Sequence, residues 1–113
     1  MAINFEGLGE QKVTFAAANG TAKGTVCKLS ANNTVAGCSA GDVFFGVVES
    51  VRGGKAAVIT EGYAEVGYTG TAPSLGYNIL AANGSGGVKG AESGRDCLVV
   101  SVDTTNKIIG MFL

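Results

Sequence analysis

Residues 40–66 read AGDVFFGVVESVRGGKAAVITEGYAEV, and this stretch decides the fold class. The longest apolar run, residues 43–51, predicts a strand that is buried along part of its length. Gly53-Gly54 then predicts a tight turn, because glycine tolerates the left-handed backbone region. Residues 55–69 read as a second long strand, and within it Ala64, Val66 and Tyr68 alternate with Tyr63, Glu65 and Gly67.

Similar runs lie on both sides of this stretch, and they are residues 12–18, 25–30, 34–38, 77–82, 97–105 and 107–113. Asn19-Gly20 and Asn83-Gly84 are residue pairs that accept positive φ in hairpin turns. Glycine is frequent at 19 of 113 residues, and no segment favours a long helix. The sequence therefore predicts one all-β domain over residues 12–113, a small β-barrel or β-sandwich of about eight short strands.

Three segments are expected to behave differently from the strands. Residues 1–11 are expected to form a flexible N-terminal arm, because Gly7 and Gly9 interrupt any regular pattern. Residues 83–94 are expected to form a mobile loop. The apolar C-terminus, IIGMFL, is expected either to pair into the sheet or to pack on a neighbouring subunit.

Composition disfavours several classes of partner. The net charge is −1, and the lysines and arginines are scattered singly, so binding to nucleic acid is not expected. No apolar stretch approaches the roughly 20 residues that cross a membrane. The N-terminus lacks the charged and apolar regions of a secretory signal, so synthesis and retention in the cytoplasm are expected.

The residues that usually carry chemistry are few. Histidine is absent, so Cys27, Cys38 and Cys97 lack the usual activating base and are interpreted as small buried hydrophobic residues. A disulfide bond between two of these cysteines, in an oxidised particle outside the cell, remains an alternative. Glu61 and Glu65 have the spacing of solvated polar positions rather than of a catalytic pair. We predict no catalysis, no metal site, no cofactor and no small-molecule substrate.

The order of motifs resembles that of a known family. GTVCKLSANNTVAGCSAGDVFFGVVES, at 24–50, followed by GGKAAVITEGYAEV, at 53–66, is similar to the capsid cement, or head decoration, proteins of tailed bacteriophages and prophages. The likeness covers residues 20–113. It implies an all-β structural protein, often trimeric, that binds the major capsid protein on the outside of the shell and stabilises the shell. It also implies a location on the virion.

The capsid role that the resemblance implies needs contact residues, and these are sought at the two ends of the chain. Ile3, Asn4 and Phe5 are the candidates for shell contact, and Phe112 and Leu113 are the candidates for packing between subunits. Fraying or burial in the protein's own core is an alternative for each of them.

Other functions are kept as alternatives. The protein could be another structural phage part, such as a tail or baseplate barrel. It could also be a small ligand-binding β module that uses Tyr63, Tyr68 and Tyr77. An enzyme would have to rely on Glu61 and Glu65.

Overall fold

The computed structural model describes residues 11–113, which form ten β-strands in two sheets. The strands are β1 (Gln11–Ala17), β2 (Val26–Ala31), β3 (Thr34–Gly37), β4 (Gly46–Arg52), β5 (Lys55–Glu61), β6 (Tyr63–Gly67), β7 (Gly76–Ala82), β8 (Val88–Gly90), β9 (Arg95–Asp103) and β10 (Ile108–Phe112). These residues contain no helix, so the all-β prediction is confirmed.

The first five strands close into a barrel in the order β1-β3-β2-β4-β5. The β1–β3 pair is parallel, and the other neighbours in the barrel are antiparallel. Two of its hairpins turn where the sequence has residues that accept positive φ. Asn33 has a φ of 55° between β2 and β3, and Gly53 and Gly54 have φ of 58° and 76° between β4 and β5.

The other five strands form an antiparallel sheet in the order β6-β10-β9-β7-β8. A parallel bridge between Tyr68 and Val88 joins its two outer strands, so the sheet curls until its edges meet at one end. The C-terminal strand β10 lies between β6 and β9. Of the two alternatives for the apolar C-terminus, pairing into the sheet is therefore the one that the structure shows.

Two hydrophobic clusters hold the sheets together. The barrel core fills the barrel and consists of Cys27, Val35, Val48, Ala56 and Val58, with Phe15, Ala17 and Phe45 packed against it. The large core lies between the barrel and the second sheet.

Adjacent residues of three barrel strands belong to different cores, because successive side chains of a strand point to opposite faces. Val26, Val47 and Ile59 enter the large core, and their chain neighbours Cys27, Val48 and Val58 enter the barrel core.

Arg95 of β9 adds a polar link between the sheets. Its guanidinium donates from Nη1 to the carbonyl of Phe45 at 2.5 Å and from Nη2 to the carbonyl of Thr60 at 3.2 Å. Both carbonyls belong to the barrel half of the chain. A charged donor stabilises such a contact more than a neutral one.

The structure differs from the predicted strand boundaries in three places. The run 55–69 is two strands, because Gly62, with φ of 114°, ends β5 and lets β6 enter the other sheet. The predicted mobile loop 83–94 contains β8, which pairs with β7. The buried run 43–51 becomes a strand only at Gly46.

Most of the predicted N-terminal arm, residues 1–11, falls outside the residues that the structure describes. Gln11, expected in the arm, is the first residue of β1. Residues 1–10 lie outside the described part of the chain.

Candidate interaction face

An apolar row crosses the outer surface of the second sheet. The cross-strand register aligns Tyr77 of β7 with Leu98 of β9, Leu98 with Phe112 of β10, and Phe112 with Tyr63 of β6. Residues directly opposite each other on neighbouring strands share one face of a sheet. We call the surface formed by Tyr63, Phe112, Leu98 and Tyr77, together with Leu75 and Ile79, the outer face.

The β7 side of the outer face is the most exposed. Leu75, Tyr77 and Ile79 are 69 %, 74 % and 43 % exposed, and they follow one another at every second position. Alternation places Tyr77 and Ile79 on one side of β7, while Leu80 is buried in the large core. Leu75 lies in the bend just before the strand. Single exposed apolar residues are common, but a continuous row of them marks an interaction surface.

The β6 side of the outer face is more ordered by its own contacts. The Tyr63 ring packs edge-on against Phe112, with ring centroids 5.7 Å apart. Its hydroxyl donates to the Glu65 carboxylate at 2.8 Å. Burial, followed by this hydrogen bond, raises the pKa of the Tyr63 hydroxyl. The phenol therefore stays neutral and acts as a donor near pH 7.

Gly110 makes room for the Tyr63 ring on β10. A Cβ atom at this position would lie 2.6 Å from the Ser101 Oγ and closer still to the Tyr63 hydroxyl. Since Cβ atoms do not approach other atoms so closely, only glycine allows the ring to lie across the sheet here. The outer face thus presents a continuous row of rings and aliphatic side chains.

The three tyrosines of the ligand-binding alternative do not line one groove. Tyr68 is 5 % exposed and belongs to the large core. Tyr63 and Tyr77 do lie on the outer face, but β10 and β9 separate their strands.

The groups that could carry chemistry are held in ordinary structural roles. Cys27 and Cys97 are buried, as predicted, and burial raises the pKa of their thiols to about 12 and about 11. Cys38 is half-buried, and all three cysteines are free thiols. Within residues 11–113, no group of three or more His, Cys, Asp or Glu side chains is arranged to hold a metal ion.

A salt bridge with a second hydrogen bond lies in the barrel half of the chain, away from the outer face. Lys28 Nζ and Asp42 Oδ2 are 2.6 Å apart, and the same Asp42 oxygen accepts from the Ser39 amide at 2.8 Å. The Lys28 hydrogen bond, followed by that from Ser39, lowers the pKa of Asp42. Asp42 therefore fixes the turn before β4.

The candidate contact residues lie in different parts of the chain. Ile3, Asn4 and Phe5 are outside the described residues. Phe112 is half-buried within the outer face, and Leu113 packs partly buried against the large core. Sequence reasoning missed Leu75 and Ile79, although the alternation in SLGYNIL at 74–80 is the signal that could have found them.

Comparison with known proteins adds no family. No protein-family model matches the chain, and no curated protein matches it. The described residues also include no helix that is long and apolar enough to cross a membrane.

Proposed function

We propose that this protein is a structural component of a tailed-phage or prophage virion that binds the outside of the capsid shell and stabilises it. Its partner is the major capsid protein, and it acts without catalysis or a cofactor, as a homo-oligomer of which a trimer is the expected form. The proposal rests on the sequence resemblance to cement proteins together with one structural observation, which is the exposed apolar outer face.

The outer face supports this role because cementing needs adhesive surface rather than reactive groups. A protein that binds the assembled shell and not its separated subunits stabilises the shell by mass action. Apolar side chains such as Leu75, Tyr77 and Ile79 contribute to binding when they are removed from water on contact. Each bound copy stabilises the shell by a small amount, and the many copies on one shell add up.

The proposal is tested by co-sedimentation of the purified protein with empty, expanded shells of the phage or prophage that encodes it. We expect saturable pelleting at a stoichiometry set by the shell lattice, together with a higher melting temperature of the shells. A folded protein that leaves expanded shells unbound would contradict the proposal. Binding to tail tubes or baseplates instead would favour the tail-part alternative.

Matched variants locate the binding surface. Tyr77→Ser removes the most exposed ring of the outer face, and we expect it to weaken shell binding at least about tenfold, as truncation of a central aromatic contact does. Leu29→Ser is the control, because Leu29 is also an exposed apolar residue, at 56 %, but it lies on β2 of the barrel. Equal losses for the two variants would exclude the outer face as the contact surface.

A further inference from the structure

The strand β8 pairs with only part of one edge of β7. It pairs with residues 80–82, while β9 pairs with residues 76–80 on the opposite side. Just past β8, the Ala91 amide donates to the Ile79 carbonyl at 3.0 Å. Within residues 11–113, no strand continues from there along residues 76–78, so this length of β7 has a strand neighbour on one side only.

The backbone groups of Tyr77 point to this open edge. In an antiparallel sheet the amide and the carbonyl of one residue point to the same neighbouring strand, and successive residues alternate between the two neighbours. The Ile79 carbonyl faces the β8 side, as does the Asn83 amide just after β7, which donates to the Gly87 carbonyl at 3.1 Å. The odd-numbered residues of β7 therefore face the β8 side. Tyr77 is one of them, and no described residue bonds to its amide or carbonyl.

The side chain of Tyr77 is exposed at the same place. It is 74 % exposed, and Ile79, which follows on the same side of β7, is 43 % exposed. Tyr77 also ends the apolar row, since Leu98 is its cross-strand partner and β8 does not reach it. A strand added along the open edge would put one side chain directly beside Tyr77 and lengthen the row. Unpaired backbone groups and an exposed apolar side chain at one residue are what addition of a β-strand requires.

A second copy of β7 does not fit this edge. Because both backbone groups of Tyr77 are unpaired, two copies related by a twofold axis would pair Tyr77 with Tyr77. That register places Leu75 of one copy opposite Ile79 of the other. The Ala91 backbone already lies there, because it is bonded to the Ile79 carbonyl. The added strand must therefore begin or end beside Tyr77, as a short extended segment of another polypeptide does.

We propose that a short extended segment of the major capsid protein pairs with Tyr77 and extends the second sheet on the β8 side of β7. One residue of this segment exchanges two hydrogen bonds with the amide and the carbonyl of Tyr77. Its side chain is apolar and becomes the next member of the row on the outer face. The identity of the partner rests on the proposed capsid role, whereas the place and the mode of binding rest on the open edge.

Hydrogen exchange of single backbone amides, measured by mass spectrometry with and without empty, expanded shells, tests the pairing. In the free protein we expect the Tyr77 amide to exchange about as fast as in an unfolded peptide, because it has no partner. On shells its exchange should slow at least about tenfold. The Asn78 amide, which faces β9, is the internal control and should exchange slowly in both states.

The outcomes separate this proposal from the capsid role. Slow exchange of the Tyr77 amide in the free protein would overturn the proposal, since the edge would already be occupied. If the protein binds shells and Tyr77 exchange is unchanged, strand addition is overturned and the capsid role stands. A folded protein that does not bind shells would contradict the capsid role and this pairing with it.

A change confined to the backbone gives a second readout. Replacing Tyr77 by its α-hydroxy acid analogue exchanges the amide N–H for an ester oxygen and keeps the ring. We expect shell affinity to fall about two- to tenfold, which is the effect of losing one hydrogen bond. The same replacement at Tyr68 removes the internal hydrogen bond to the Lys107 carbonyl, so it should lower the melting temperature more than the replacement at Tyr77. Unchanged shell affinity of the Tyr77 analogue, or an equal loss of melting temperature at the two positions, would refute the pairing.

Discussion

Replacing Gly46 by alanine places a methyl group where the barrel has no room for it. A Cβ atom at this position of β4 would lie 2.6 Å from Val58 Cγ1 and 2.7 Å from the Ile59 carbonyl oxygen. Val58 is fully buried in the barrel core, and Ile59 is held in the β4–β5 ladder. Ordinary contacts need about 3.4 Å or more, so a backbone or packed side chain must shift by several tenths of an ångström.

Such overpacking costs about 1–3 kcal/mol, and we expect the upper part of that range, because one of the two obstructing groups is backbone. For a domain of this size, a loss of about 2–3 kcal/mol lowers the melting temperature by roughly 10–15 °C. Urea unfolding followed by circular dichroism, with a parallel thermal scan, measures both quantities.

Gly37→Ala is the matched control for this measurement. Gly37 lies at the end of β3, its φ is not positive, and a Cβ atom there would meet nothing within 4 Å. Alanine reduces the entropy of the unfolded chain, so we expect Gly37→Ala to be neutral or to stabilise by up to about 1 kcal/mol. If Gly46→Ala and Gly37→Ala have the same free energy of unfolding, the packing argument is refuted.

Three further outcomes are expected. Iodoacetamide at pH 8 should modify Cys38 first and leave Cys27 and Cys97 unmodified until the protein unfolds, as peptide mass spectrometry will show; early alkylation of either buried thiol would contradict this. Asp42→Asn should reduce the loss in the free energy of unfolding that the protein shows as the pH falls below neutrality. The pKa of Asp42 is lowered in the folded state, so its carboxylate adds stability above the unfolded-state pKa, and this stability is lost as the pH falls through the folded-state pKa. The same acid dependence in Asp42→Asn and in the original protein would count against this reasoning. Arg95→Leu should destabilise by about 3 kcal/mol in urea, since two carbonyls lose a charged donor, and a loss below about 0.5 kcal/mol would show that the link is not important.

The fold class could be predicted because it depends on local patterns, but the division into two sheets could not. Residues 55–69 contain no turn dipeptide and read as one strand, and only the positive φ of Gly62 shows that one strand ends there. β8 has three residues, the last of which is a glycine, and this is too short for a period to be visible. Phe44 and Phe45 read as strand, although they precede β4 and pack into different cores.

The outer face was harder to predict, because the cross-strand register between neighbouring strands decides which side chains lie next to each other. Tyr77, Leu98, Phe112 and Tyr63 are far apart in sequence and become neighbours only through three separate pairings. One of these pairings contains an irregularity between Gly110 and Met111, which shifts every partner beyond it. No local pattern reports where such a shift falls, so the sequence could indicate exposed residues on β7 but not the row that they complete.

Three strands contribute side chains to both cores, and this also determines how the protein unfolds. Because Val26, Val47 and Ile59 support the second sheet while their chain neighbours fill the barrel, loss of either half removes part of the support of the other. Unfolding should therefore be a single cooperative event without a surviving half. A gene fragment that encodes only the barrel or only the second sheet would not yield a stable product, and a deletion of one residue within β2, β4 or β5 would exchange the contents of both cores at once.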